Sequence, residues 1–393
     1  LGINLLLGVL YAWSPIAKEL QKQYAWDDLD RNLPFAVSTA AFAVTMIFAG
    51  RIQDRMGPRW IAMIGGLVLG LGLIATAFTT SPYVMIFTYG VIGGVGIGLG
   101  YAATTPPAVK WFAPSRRGLI SGIVVSGVGL AAVYMAPLTS YLMAATSIKT
   151  TFLILGVSTI GIVGGLSQLL RNPPAGYVPP AGAAAAAKNR RITGIELDWS
   201  AMLKTPQFYM LWLMYVLAAA PGLMILSNIA SIAKSQADGW EKGFICVMAL
   251  AIFNTLGRLF SGYVSDLLGR SWTMMLAFAL QAVNLYFFRD YTSPELLIFG
   301  SAFTGLCYGA IFTLMPAATA DFYGMKNLGM NYGILFTGFG VAGVVGSLLG
   351  GKVKLLFGNY DRAYLTVAAM LVLSALLATV IRAPKSHGQS RDQ

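Results

Sequence analysis

Gly50-Arg-Ile-Gln-Asp54-Arg-Met-Gly57-Pro-Arg59 and Gly262-Tyr-Val-Ser-Asp266-Leu-Leu-Gly269-Arg270 are two copies of one short loop, and their positions organise the whole chain. Gly50, Asp54 and Gly57 each recur 212 residues later. Each copy closes one apolar run and precedes another. The glycines permit a tight turn and close helix approach, and the aspartate suits a helix N-terminus or a loop arginine. Any short helix–helix loop can carry Gly and Asp, but three positions at one offset point to an internal repeat of two halves with like orientation.

Working outward from these loops, the chain divides into twelve apolar runs. They cover roughly 1–20, 33–51, 60–79, 82–105, 118–144 and 150–170, then 206–232, 243–264, 271–289, 294–320, 328–351 and 363–382. Each is long enough to cross a hydrocarbon core of ~30 Å at ~20 residues per span. Only 11% of residues are charged, against about 25% in soluble domains, and the mean hydropathy is +0.68. The fold class is therefore an all-α polytopic membrane protein, with twelve transmembrane helices in two pseudo-symmetric six-helix bundles. The domains are 1–170, an interdomain loop 171–205, a second bundle 206–382 and a tail 383–393. The Pro pairs, the alanine run and Lys188-Asn-Arg-Arg191 mark the loop.

Charge placement gives an expected orientation. With both termini cytoplasmic, 16 of the 27 Lys and Arg fall on the inside and 10 on the outside, which follows the positive-inside rule. The expected location is the cell's inner (plasma) membrane. The net charge of +12 is read through this topology rather than as a nucleic-acid footprint. Cys246 and Cys307 both lie in apolar runs and read as small buried residues. His387, the only histidine, falls in the polar tail, so a histidine relay or histidine metal site is not expected. No cofactor is expected. The chain begins at Leu1, inside the first run; a short preceding piece and no cleavable signal peptide are expected.

Arg258 completes twenty residues that otherwise read as a span, Gly243 to Gly262. A guanidinium does not readily lose its proton, and a charge at mid-bilayer costs roughly 3 kcal/mol on insertion scales. No Asp or Glu shares its apolar run. Val247, Ala251, Asn254, Arg258 and Ser261 form a small and polar stripe at helical spacing, while Ile252, Leu256, Leu259 and Phe260 fall mostly elsewhere. A cation on such a stripe suits a carboxylate, which it can engage bidentately. The competing reading is a structural arginine bonded to carbonyls at a helix break.

Across nearly its whole length the chain resembles the major facilitator superfamily, whose signature is the Gly-x-x-x-Asp-x-x-Gly loop after spans two and eight. Gly8-Val-Leu-Tyr-Ala-Trp-Ser14, Gly96-Ile-Gly-Leu-Gly-Tyr101 followed by Lys110-Trp-Phe-Ala-Pro-Ser-Arg-Arg-Gly118, and Met202-Leu-Lys-Thr-Pro-Gln-Phe208 are similar to the branch of monocarboxylate transporters and bacterial oxalate/formate antiporters. The resemblance implies alternating access around one central carboxylate site. It also implies that a span-eight arginine, here Arg258, is the carboxylate's main partner. The antiporters carry a lysine in span eleven, and Phe339 falls at that place. One intramembrane cation matches one carboxylate, since a dianion leaves a charge unpaired in a low-dielectric cavity. Animal monocarboxylate transporters carry an aspartate four residues before the arginine and a lysine in span one. Here these places hold Asn254 and, nearby, Ser14.

By the same resemblance, spans one, four, seven and ten line the cavity. Tyr11, Tyr101, Asn228 and Tyr308 are their candidate polar groups, with interhelical packing as the other reading. Leu10, Phe336 and Phe339 are candidates for an apolar pocket around a short carbon skeleton. The glycine-rich runs 90–100 and 338–346 lack the strand and spacing of a nucleotide loop and read as close helix packing.

The expected function is secondary transport of short monocarboxylates, such as lactate or pyruvate, in symport with a proton. The proton would travel on the substrate or transiently on Asp54, Asp266 or Asp321. Carboxylate exchange is the alternative, and a non-transporting carboxylate sensor a further one. No enzyme is expected, because no nucleophile–base or metal constellation is present. The expected partners are the carboxylate, a proton and the lipid bilayer, with the protein a monomer.

Overall fold

The computed structural model describes residues 1–26, 28–174, 176–177, 179, 196–237 and 239–384. The alanine run, Lys188-Asn-Arg-Arg191 and His387 lie outside the described residues. Among the described residues the chain is helical, with no strand. Eleven helices among the described residues are long and apolar enough to cross a membrane. Spans two to six are Asn32–Met56, Pro58–Thr76, Pro82–Lys110, Pro114–Ala145 and Ile148–Ser167. Spans seven to twelve are Pro206–Gln236, Phe244–Leu268, Arg270–Asp290, Pro294–Tyr323, Leu328–Gly346 and Asp361–Val380.

Span one completes the twelve and is irregular. It is α-helical at Gly2–Leu7, 3-10 at Gly8–Ala12 and α-helical again at Trp13–Tyr24. Pro15 accounts for the change: it has no N–H to give, and its ring crowds the carbonyl four residues back, at Tyr11. Span four also departs from a plain α-helix. It widens to a π-helix over Ile86–Gly93 and breaks between Ala102 and Thr105, where Pro106 and Pro107 crowd the carbonyls of Ala102 and Ala103.

The outward faces are apolar. Phe48, Leu71, Phe87, Leu256 and Phe260 are all exposed. Such surface suits a lipid solvent, against which apolar side chains need no burial. The buried side of span eight instead carries Ala251, Asn254, Gly257, Arg258, Ser261 and Ser265.

The chain folds as two compact units. The first is 1–111, 124–178 and 327–334; the second is 112–123, 179–326 and 335–393. The start of span five thus goes with the second unit, and the start of span eleven with the first. In the second unit, the end of the interdomain segment is tied down. Leu197 N donates to the Tyr323 carbonyl at 3.0 Å, and the Glu196 carboxylate accepts from Met325 N and Lys326 N at 3.1 and 2.7 Å. Asp198 caps the short helix Trp199–Met202. The Ala201 N–H and then the Ser200 hydroxyl hold its carboxyl below the ordinary aspartate value.

Candidate functional site

In the second unit, spans eight and ten meet almost backbone to backbone. A Cβ at Gly257 would strike the Leu306 carbonyl, one at Gly305 the Leu250 carbonyl, and one at Gly309 the Asn254 carbonyl. These three glycines set the depth at which span ten delivers its side chains to span eight. Phe312 then lies under the guanidinium of Arg258, with 4.5 Å from Cζ to the ring centre, a cation–π arrangement. Thr313 Oγ1 donates to the Arg258 carbonyl at 2.9 Å, fixing the backbone from which the guanidinium hangs.

Arg258 is 2% exposed. Its Nε donates to Asn254 Oδ1 at 2.9 Å, across one helical turn. That bond holds the guanidinium from its Nε side.

An aromatic cluster extends from this point. Phe312 packs edge-on to Tyr308 and to Phe339, each at 5.2 Å. Phe339 lies 5.1 Å from Phe336 and 6.3 Å from Tyr215. The second unit thus brings together Arg258, Asn254, Tyr308, Phe336 and Phe339 from the sequence candidates, and adds Phe312, Thr313 and Tyr215. Phe312 was open to the same-face rule, being four residues after Tyr308 on a helix. Tyr215 has no signal in the sequence.

Asn228 lies on span seven six residues beyond Gly222, against which the Tyr308 ring packs. Its Nδ2 donates to the Met224 carbonyl of its own helix at 2.9 Å.

In the first unit, Leu10 and Tyr11 are half-buried in the 3-10 stretch of span one. Tyr101 is buried on span four and packs edge-on to Phe42 at 5.5 Å. The fully buried Asn4 joins three spans nearby: its Nδ2 donates to the Val124 carbonyl at 2.8 Å, and its Oδ1 accepts from Thr104 Oγ1 at 3.2 Å.

The two signature loops have closely parallel geometry. Gly57 and Gly269 both adopt left-handed φ, 86° and 95°, and each leads directly into a helix. A Cβ at Gly50 would strike the Gly329 carbonyl, and one at Gly262 the Gly118 carbonyl. Asp54 accepts from Met330 N at 3.0 Å and pairs with Lys110 at 3.4 Å. Asp266 accepts from Gly118 N and Leu119 N at 3.0 and 2.9 Å and pairs with Arg270 at 2.6 Å. Arg270 also meets Asp321 at 2.8 Å, and Asp321 meets Arg117 at 3.2 Å. The three carboxylates considered as proton carriers are therefore each ion-paired. Among the described residues no group of His, Cys, Asp and Glu side chains could hold a metal ion.

A family model described as the Major Facilitator Superfamily matches residues 1–257 and 224–393. The chain is 27% identical to the uncharacterized MFS-type transporter YhjX of Escherichia coli, over 86% of this chain and 82% of that protein. It is 26% identical to the oxalate:formate antiporter of Oxalobacter formigenes, over 95% and 87%. It is 23% identical to monocarboxylate transporter 13 of Rattus norvegicus, over 84% and 74%. Among solved structures, the human organic anion transporter MFSD10 matches with a TM-score of 0.70 at 14% identity, over 96% of this chain and 97% of that one. The Escherichia coli fucose:proton symporter FucP matches at 0.68 and 13%, over 96% and 97%. Likeness at these identities concerns the fold alone.

Proposed function

This chain belongs to the Major Facilitator Superfamily, and within that family of transporters we propose that it carries short monocarboxylates of the lactate or pyruvate type in symport with a proton. The observation that carries this reading is Arg258. A buried guanidinium, held by Asn254 and stacked on Phe312, is a fixed cation of the kind that can pair with a carboxylate in bidentate fashion. Phe312, Phe336 and Phe339 give a carbon skeleton apolar surroundings. Phe339 adds no charge, so the site favours one carboxylate over two. Uptake proceeds by alternating access of the 1–170 and 206–382 bundles, with both termini cytoplasmic in the inner membrane and the protein a monomer. One proton travels with each anion, which makes the step electroneutral.

A second reading is carboxylate exchange. The likeness to the oxalate:formate antiporter favours it, as does the ion-paired state of Asp54, Asp266 and Asp321. One experiment separates the two. Proteoliposomes containing no anion are given labelled L-lactate with a neutral or an acidic exterior. Accumulation that requires the acidic exterior, with acidification of the lumen, supports symport. Uptake that appears only after preloading with formate or another carboxylate replaces symport with exchange. Absence of lactate uptake under both conditions refutes the lactate assignment.

A further inference from the structure

We propose that a cavity of about 810 Å³ in the first unit, between the ends of spans one, five and six, collects the carboxylate anion and raises its local concentration for transport. This rests on the monocarboxylate reading above. The cavity exists because one wall is built of small side chains: Ala136, Ser140 and Ala144 follow at four-residue intervals on span five and so share a face. Span one supplies the opposite wall with Ser14 and Lys18, again four apart. Lys149 stands at the start of span six.

The charge in this cavity suits an anion. Lys18 and Lys149 are both exposed within it, and Lys149 Nζ is held 4.8 Å above the ring of Phe78. Span six begins at the same lip, where Ser147 Oγ caps Thr150 N at 3.1 Å, so the partial positive end of a twenty-residue helix adds to the lysines. Glu19 also lines the cavity, and Gln23 Nε2 donates to it at 2.8 Å. Two lysines against one carboxylate leave an excess of one positive charge. The volume far exceeds a three-carbon acid, so the anion is held there with its water, by field rather than by fit.

The test is initial-rate uptake of L-lactate in phosphatidylcholine proteoliposomes, with Lys18→Gln and Lys149→Gln combined, at low and high ionic strength. KM is expected to rise about three- to tenfold at low salt with kcat unchanged, and the difference is expected to shrink once the Debye length falls below about 10 Å. Lys18→Arg with Lys149→Arg should restore the original KM. An unchanged KM at low salt, a loss confined to kcat, or failure of the arginine pair to rescue overturns the proposal. So does an effect seen only when anionic lipid is added, which would assign the lysines to a lipid phosphate. Uptake that depends on Arg258 but ignores the lysines sinks this inference alone. No uptake by the unsubstituted protein sinks the monocarboxylate reading with it.

Discussion

Asn254→Asp tests the site where its geometry is most specific. Asn254 Oδ1 lies 2.9 Å from Arg258 Nε. A carboxylate at that separation attracts the guanidinium by about 6 kcal/mol at an effective dielectric of about 20. Desolvating the new charge returns part of this, and the amide hydrogen bond it replaces was worth about 1.5–3 kcal/mol to a charged donor. A remainder of about 2–3 kcal/mol then opposes the incoming carboxylate, a loss of about 30- to 150-fold in kcat/KM. The assay is L-lactate uptake in proteoliposomes, expressed as the ratio of variant to unsubstituted protein across a range of exterior pH. The same attraction holds the introduced carboxylate ionised below the ordinary aspartate range, so the ratio should stay low and flat across exterior pH. Asn254→Ala removes the hydrogen bond without adding a charge, and its loss should be smaller. A ratio near one for the aspartate variant refutes the reasoning, as does a loss no larger than the alanine variant's.

Arg258→Ala should abolish uptake, by a factor of at least about 100 if 3 kcal/mol or more of charge pairing is lost, while expression and size-exclusion behaviour stay near normal; surviving transport would move the site elsewhere. Arg258→Lys keeps the charge but not the planar fork, so lactate KM should rise with uptake still measurable. Gly309→Ala places a methyl group against the Asn254 carbonyl and should cost about 1–3 kcal/mol by overpacking, read as a lower Tm in detergent. An unchanged Tm would mean that spans eight and ten separate freely there. Phe339→Lys adds a second cation beside Phe312 and should let oxalate compete with lactate uptake; no competition would show that charge count does not set the preference.

The parts of this molecule legible in the sequence are those governed by local rules. The runs of apolar residues and the repeat at Gly50 and Gly262 required only periodicity and one offset. The stripe through Asn254, Arg258 and Ser261 followed from helical spacing, and all three are buried on the same side of span eight. Phe312 obeys that rule from Tyr308 and was within reach of it. Tyr215 was not, because its place beside Phe336 and Phe339 depends on how span seven packs. The irregular stretches were less legible. Breaks occur next to Pro15, Pro106 and Pro107, yet Pro34, Pro137, Pro221 and Pro316 sit inside continuous helices, so a proline alone does not announce a break. The π-helix at Ile86–Gly93 contains no proline and no sequence feature that separates it from a plain α-helix.

The repeated aspartate shows what a duplicated motif keeps and what it leaves free. Reading Asp54 and Asp266 as caps required only their chemistry, since a carboxylate suits the exposed N–H groups of a helix start. The helices they meet are distant in sequence: Asp54 meets the start of span eleven at Met330, and Asp266 the start of span five at Gly118 and Leu119. Spans five and eleven hold the same position in the two halves, so the cap is duplicated together with its partner. The counter-ion is not. Asp54 takes Lys110 at 3.4 Å, from the end of span four. Asp266 takes Arg270 at 2.6 Å, from four residues on, and Arg270 reaches Asp321, which Arg117 also holds. A point charge serves the first loop, whereas the fork of Arg270 lets the second share one cation between two carboxylates. The repeat therefore fixes the backbone approach, where Gly50 and Gly262 admit a facing carbonyl, and leaves each half to balance its charge with whichever cation its own neighbouring helices supply.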